Sequence, residues 1–149
     1  MATALELEQL YLAYFGRPPE AAALAYFANQ PIAQVVAAFE ASPEAALDYP
    51  RSSGQADAAM VTTAYVHLFG RVPSAAEVQY WVGVGASLKL SPALLALTIS
   101  GAAQGSDAAT SANRLAYVKQ WVDSFNTLAT NGKVSVADAM VLALSLIHI

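Results

Sequence analysis

One stretch of the sequence occurs twice, and this duplication limits the chain to repeat architectures. The first copy spans residues 11–27 and reads YLAYFGRPPEAAALAYF, and the second spans residues 65–81 and reads YVHLFGRVPSAAEVQYW. Eight of the 17 aligned positions are identical, without a gap. An aromatic-Gly-Arg-x-Pro centre with the same flanks does not readily arise twice by chance, so we infer an internal duplication.

The centre of each copy has the residues of a corner between two helices. Gly16 and Gly70 follow an aromatic helix end, where glycine takes the left-handed conformation that stops a helix. Pro19 and Pro73 follow, and proline cannot continue a helix but can begin the next one. The pattern therefore predicts a helix–turn–helix unit that is present twice.

Cap signals and apolar spacings predict helices along the rest of the chain, and no segment alternates as a strand would. The cap signals are the capping boxes Thr3/Glu6, Ser74/Glu77 and Ser135/Asp138 and the Ser-Pro pairs at 42–43 and 91–92. Helices are predicted over about residues 3–15, 20–29, 32–41, 55–69, 74–82, 91–100 and 107–130, with a short one from residue 42, a last one from residue 135 and a loop over 83–90.

These elements together predict an all-α protein, an orthogonal bundle of about seven to nine helices. Two related repeats, at about residues 4–50 and 55–105, are followed by a long closing helix and C-terminal helices over residues 107–143. We expect residues 1–143 to form a single domain. The last six residues, LSLIHI, resemble the translated read-through of a sequencing adapter. We interpret residues 144–149 as a non-native tail; an ordinary apolar helix end is the alternative.

The composition disfavours several classes of partner and site. Charged residues make up 12% of the 149 residues, against about 25% in an average domain. The net charge of −4 argues against nucleic acid and against an anionic membrane surface. The absence of cysteine removes disulfides and thiolate metal sites. No apolar run is long enough to predict a transmembrane segment, and the N-terminus lacks the features of a secretory signal peptide.

The aromatic residues of the second arm are the first candidate site residues. Tyr26, Tyr80 and Trp81 close the two copies of the motif, with Phe27 at the position equivalent to Trp81. Their spacing lets them meet the aromatics of the first arm across the corner, which favours core packing. The second interpretation is a row of rings that stack on sugar faces, which requires exposed rings beside polar groups.

The corner arginines are the second pair of candidates. Arg17 and Arg71 are two of only four arginines in the chain. A guanidinium just past a helix end can bind the last carbonyls or pair with an acid, which is a structural role. It can also clamp a carboxylate or phosphate of an acidic glycan, provided that both arginines converge on one groove.

The remaining polar residues do not indicate catalysis. His67 has no second histidine or cysteine near it, so we expect a partly buried, hydrogen-bonded side chain rather than a metal ligand. Glu20, Glu77 and Asp107 lie where helices begin, where carboxylates favour the positive end of the helix dipole. Phosphate-binding and nucleophile motifs are absent. We therefore predict no enzyme activity, no cofactor and no metal site in this stretch.

The duplicated corner resembles the DUF4214 family. The form Tyr-x-x-x-Phe-Gly-Arg-x-Pro, followed by small residues and Tyr-Phe or Tyr-Trp, occurs in both copies, and a Ser-Pro-Glu helix start at residues 42–44 follows the first. The resemblance covers about residues 4–125. The chain departs from the family where Glu20 and Ser74 replace an aspartate, and where Ala23 and Glu77 replace a glycine.

The resemblance implies a non-catalytic role at a cell surface. It implies an N-terminal module of a larger S-layer-like or adhesin-like protein of a Gram-negative bacterium, exported by type I secretion without an N-terminal signal peptide. Such a module would anchor the protein to surface polysaccharide or lipopolysaccharide, and calcium would bind only in downstream RTX repeats. The corner is also similar to phycobilisome linker domains, which implies the alternative of a protein–protein assembly module that contacts neighbouring subunits.

Overall fold

The computed structural model describes residues 1–48 and 57–130, which form eight helices and no strand. The helices are α1 (Ala4–Phe15), α2 (Ala21–Phe27), α3 (Ile32–Glu40), α4 (Pro43–Asp48), α5 (Ala58–Phe69), α6 (Ala75–Leu88), α7 (Pro92–Gly101) and α8 (Gly105–Thr130). The all-α prediction is confirmed. The expected repeat boundary near residues 50–55, the helix predicted from Ser135 and the tail at 144–149 lie outside the described residues.

Two predicted capping boxes are present. The Thr3 Oγ1 accepts the Glu6 N–H at 3.2 Å, and the Glu6 carboxylate accepts the Thr3 N–H at 2.8 Å. The Ser74 Oγ accepts the Glu77 N–H at 3.3 Å, and the Glu77 carboxylate accepts the Ser74 N–H at 2.7 Å. Both helix starts thus satisfy two otherwise unbonded N–H groups with residues three positions apart.

The Ser-Pro pair at residues 91–92 opens α7 as predicted, but the cap comes from another helix. Ser91 is the N-cap residue, but its side chain makes no capping hydrogen bond. The N–H of Ala93 instead donates to the Glu40 carboxylate at 3.0 Å, from the last residue of α3. A carboxylate at a helix N-terminus also favours the positive end of the dipole, so this long-range contact ties α3 to α7.

The predicted loop over residues 83–90 is wrong, because α6 continues to Leu88. Gly83 and Gly85 indicated a break, yet a glycine inside a helix costs only about 1 kcal/mol relative to alanine. Trp81 and Gly85 lie one turn apart and are both buried, so packing of this face supports the extended helix. The helix ends at Lys89, which takes the left-handed conformation with φ of 52°.

The core is built around α1, which packs against α5, α7 and α8. Because neighbours cover α1 on several sides, its buried residues are not limited to one stripe. They are Leu7, Glu8, Leu10, Tyr11, Leu12, Ala13 and Tyr14. Within residues 1–48 and 57–130, no helix is both long and apolar enough to cross a membrane. The packing brings the two corners, at the ends of α1 and α5, close to neighbouring helices.

Candidate functional site

The two corners have the same backbone geometry. Gly16 ends α1 with φ and ψ of 67° and 21°, and Gly70 ends α5 with 66° and 21°. The N–H of each glycine donates to a carbonyl four residues earlier, at 3.0 Å in both cases. The left-handed stop predicted for both glycines is therefore confirmed. A positive φ is costly for any residue with a Cβ, which explains why glycine occupies both positions.

A side chain from the second repeat covers the first corner. The Nδ1 of His67, on α5, lies 3.2 Å from the carbonyl oxygen of Ala13, on α1. Since a carbonyl can only accept, the Nδ1 carries the proton of this hydrogen bond. A Cβ built on Gly16 would lie 2.6 Å from the His67 ring, so the corner also needs glycine for space. His67 is half-buried and hydrogen-bonded, as predicted.

A side chain from α8 covers the second corner in the same way. The Nη1 of Arg114 donates to the carbonyl oxygens of Val66 and His67, at 2.9 Å and 2.5 Å. A Cβ built on Gly70 would lie 2.5 Å from the Arg114 guanidinium. A cation that binds the last carbonyls of a helix also favours the negative end of its dipole. Each corner is therefore closed from outside by a donor side chain.

Arg17 is bound by two carboxylates and two aromatic rings. Its Nε and Nη2 donate to the two oxygens of Glu44, at 2.7 Å and 2.6 Å, in a bidentate pair. Its Nη1 donates to Glu20 at 2.9 Å. The guanidinium carbon lies 5.1 Å from the ring centre of Tyr11 and 5.6 Å from that of Phe15. With 16% of its side chain exposed, Arg17 is committed to this cluster.

Arg71 has the equivalent arrangement with different acids. Its Nε and Nη2 donate to the two oxygens of Asp107, at 2.8 Å and 2.5 Å. Its Nη1 and Nη2 donate to the two oxygens of Glu77, at 3.0 Å and 2.7 Å. The guanidinium carbon lies 5.0 Å from the ring centre of Tyr65. The side chain is 39% exposed, so this corner is more open to water than the first.

The two clusters share one design. The bidentate acid, Glu44 or Asp107, comes from the first turn of a later helix, α4 or α8. The ion pair that the sequence allowed for both arginines is present. A role of Arg17 and Arg71 in binding a ligand stays a prediction, and in this structure their donors are taken up by acids of the same chain.

The acids around Arg71 are held firmly in the charged form. The hydrogen bonds from Arg71 and from the Ser74 N–H lower the pKa of Glu77 from 4.5 to about 2. The hydrogen bond from Arg71 also lowers the pKa of Asp107 below its usual 3.8. At the first corner, burial alone would lower the pKa of Arg17. The hydrogen bond of Arg17 with Glu44 and the negative charge of Glu20 outweigh burial, so the pKa of Arg17 is raised.

The aromatic candidates divide into one buried and two exposed residues. Trp81 is 8% exposed, and its Nε1–H donates to the hydroxyl of Tyr65 at 2.9 Å. Tyr26 and Tyr80 are 68% and 63% exposed. The sequence did not distinguish the buried from the exposed positions, because the second arm of the motif is too short for its apolar residues to define one buried face. Trp81 belongs to the core, whereas the two tyrosines lie at the surface.

A scan against protein-family models found no match to this chain, and searches of curated proteins and of solved structures found none either. The DUF4214 resemblance therefore stays a prediction that rests on the corner residues. In the described part of the chain, no group of three or more His, Asp or Glu residues could hold a metal ion.

Sequence reasoning named the corner arginines but missed the residues that bind them. Glu44 was recognised only as part of a helix start, and Asp107 only as a first-turn acid. Arg114 was not singled out at all. The spacing of the charges gave no signal, because the partners lie 27 and 36 residues apart along the chain. The arrangement can hold helices together and present two exposed rings.

Proposed function

We propose that this chain is a non-catalytic module of a larger secreted cell-surface protein, S-layer-like or adhesin-like, of a Gram-negative bacterium. The module would hold that protein to surface glycan such as lipopolysaccharide. The observation that carries the proposal is that Tyr26 and Tyr80, equivalent residues of the two repeats, are both exposed. Tyrosine offers an apolar face and a polar hydroxyl, which makes it a common contact residue at binding surfaces.

The charged groups of the corners support a binding role over catalysis. A general acid or base works best with a pKa near the working pH, and the pKa values of Glu77 and Asp107 are instead lowered. Arg17 and Arg71 are already bound by carboxylates. An acidic glycan would have to displace those carboxylates to reach the guanidinium groups, so we assign ligand contact to the tyrosines. The proposed role needs no cofactor.

Sedimentation with bacterial cells tests the proposal directly. The purified chain is mixed with intact Gram-negative cells and, separately, with purified lipopolysaccharide, and the bound fraction is measured. We expect the chain to bind both the cells and the lipopolysaccharide, and to lose this binding after periodate oxidation of the glycan. Absence of binding to cells and to lipopolysaccharide would overturn the glycan role. Binding to cells that survives periodate but not protease treatment would overturn it as well.

A protein–protein assembly module is the second candidate, favoured by exposed aliphatic side chains. Val66, Val72 and Leu88 are 43%, 69% and 64% exposed, and exposed apolar side chains mark a contact between subunits where they form one continuous patch. In this case the chain would bind neighbouring subunits of the same protein. Light scattering over a range of concentrations decides the point, since an assembly module shows a rising mass and a glycan-binding module stays monomeric.

A further inference from the structure

Two positions of the motif are identical and exposed in both copies, one occupied by alanine and one by tyrosine, and only the tyrosines present a large side chain. Ala25 and Gln79 are equivalent and exposed, and they have diverged in character. Tyr26 and Tyr80 are equally exposed and identical. Several other shared residues serve the fold: the glycines have positive φ, the arginines bind acids, and the first-arm tyrosines and the prolines are buried. Folding does not explain two retained exposed rings.

Each exposed ring is held from the inside by another ring. Tyr26 meets Phe27 edge to face, with ring centres 5.0 Å apart and planes at 77°. Tyr80 meets Trp81 in the same way, at 5.0 Å and 76°. Aromatic pairs favour this geometry, so both rings have the same support at equivalent positions. A ring fixed in advance loses little conformational entropy when a ligand binds.

The space beside each ring is open. A helical side chain leans toward the N-terminus and covers the turn three to four residues before it. Four residues before the tyrosines lie Ala22 and Ala76, which are both exposed and too short to cover a ring. Glu77, three residues before Tyr80, has its carboxylate bound by Arg71. On α6, Gly83 lies one turn after Tyr80, and a Cβ built there meets nothing within 4 Å. A flat ligand can therefore approach the outer surface of the ring.

The surrounding charges favour an uncharged ligand. The first corner places two carboxylates around Arg17, which leaves one negative charge in excess, and the chain carries −4 in all. At the second corner Arg114 balances the second acid. Glu77 lies one turn before Tyr80, within the range over which an anion would be repelled. A quaternary ammonium ligand is usually held by several rings, whereas Trp81, the ring that supports Tyr80, is buried and is not available to such a ligand.

Resting on the proposed function, we propose that Tyr26 and Tyr80 are two stacking platforms for uncharged sugar residues. Each ring takes the apolar face of a pyranose, and polar groups of the sugar remain in water. A polysaccharide chain with neutral residues is the ligand class, rather than one recognised through uronate or phosphate groups. The corner arginines then position the helices and do not touch the ligand.

Affinity electrophoresis in gels that contain a polysaccharide tests this inference. The probes are three neutral polysaccharides, dextran, mannan and galactan, and the anionic polysaccharide polygalacturonate, at low and high salt. The wild-type chain is retarded by at least one neutral probe, without dependence on salt, and not by polygalacturonate. Tyr26→Ala and Tyr80→Ala each weaken this retardation by roughly 2- to 12-fold, the range that aromatic contacts of about 0.5–1.5 kcal/mol produce.

Matched variants separate stacking from other causes. Tyr26→Phe and Tyr80→Phe keep the ring and retain most of the binding. Tyr117→Ala removes another exposed tyrosine, on α8, and leaves binding unchanged. Circular dichroism verifies that every variant is folded. Equal losses for the Tyr117 and Tyr80 variants would overturn the inference, as would binding that falls as salt rises.

The outcomes also distinguish this inference from the proposed function. Binding to lipopolysaccharide that is unaffected in the Tyr26→Ala, Tyr80→Ala double variant overturns the platforms and leaves the glycan role intact. Retardation by polygalacturonate and by none of the neutral polysaccharides also overturns the platforms and leaves the glycan role intact. Absence of binding to every glycan and to cells overturns both. Self-association of the wild-type chain that the double variant loses, without glycan binding, assigns the rings to a protein contact and overturns both.

Discussion

His67 donates a hydrogen bond to Ala13, the residue that occupies its own position in the first repeat. The last turn of α1 is thus closed by a residue from the equivalent turn of α5. Arg114 of α8 closes α5 in its turn, through the carbonyl oxygens of Val66 and His67. Helices α1, α5 and α8 are thus linked in chain order, and each of the two links passes over a corner glycine.

The first link makes Gly16 sensitive to substitution. In Gly16→Ala the backbone keeps a positive φ, which costs about 1–2 kcal/mol for a residue with a Cβ. The added Cβ would also lie 2.6 Å from the His67 ring, which forces the ring to move. We expect a total loss of about 2–4 kcal/mol in the free energy of unfolding. Urea denaturation followed by circular dichroism measures it.

Gly83→Ala is the matched control for this substitution. Gly83 lies inside α6 with open space around its Cα, and its φ is not positive. An alanine there should stabilise the helix by about 0.5–1 kcal/mol. The His67→Ala variant removes the clash at Gly16, so the Gly16→Ala, His67→Ala double variant should lose less than the sum of the two single losses. A strictly additive result would contradict the role of the ring.

The two arginine clusters should differ in their contribution to stability. The Arg17 side chain is 16% exposed and that of Arg71 is 39% exposed. Lysine keeps the charge but cannot make the bidentate pair. We expect Arg17→Lys to lose about 1.5–3 kcal/mol, as for hydrogen bonds to charged groups. We expect Arg71→Lys to lose about 1 kcal/mol or less, as for exposed pairs. Thermal unfolding at low and high salt measures both, and a greater loss at Arg71 would contradict the ranking.

The features predictable from sequence are those set by neighbours in the chain. The capping box of Thr3 and Glu6 and the left-handed turn at Gly16 each depend on residues within about four positions. Such signals fix where a helix begins or ends, whatever the rest of the chain does. This is why the repeat, its corners and the all-α class follow from sequence alone.

The features that sequence reasoning missed depend on packing between distant segments. Arg71 and Asp107 are 36 residues apart, and His67 and Ala13 are 54 apart. Any acid of the chain could have paired with Arg71, and spacing gives no order among them. The extension of α6 past Gly83 is a second case, since burial of Gly85 overrides a local signal for a turn.

The acids of the second corner should make stability fall in acid. The pKa of Glu77 is lowered to about 2 and that of Asp107 lies below its usual value. A carboxyl group whose folded-state pKa is lowered stabilises the fold above its unfolded pKa, and this is lost as the pH falls through the folded value. We expect a loss of order 1 kcal/mol between pH 4.5 and 2, since solvent screens these groups. Glu77→Gln should flatten this part of the pH profile.

Glu8 should act in the opposite direction. It is 8% exposed on α1, and burial raises its pKa, with Lys119 acting against this and Asp123 adding to it. A raised carboxyl pKa means that its stabilising contribution is present at low pH and is lost as the pH rises through the folded value. Glu8→Gln should therefore raise the urea midpoint at pH 7 and leave it unchanged at pH 3. A lower midpoint at pH 7 would contradict this.

The buried hydrogen bond between Trp81 and Tyr65 should be costly to remove from one side. Tyr65→Phe keeps the ring that lies against Phe69 and Arg71, but it takes away the hydroxyl that accepts the indole N–H. A buried donor left without a partner costs about 1–3 kcal/mol. Trp81→Phe restores an apolar contact without that donor, as at the equivalent Phe27. The Tyr65→Phe, Trp81→Phe double variant should thus be more stable than the sum of the single losses predicts. A double-mutant cycle in urea measures this coupling, and a coupling energy of zero would show that the hydrogen bond does not hold the second arm in place.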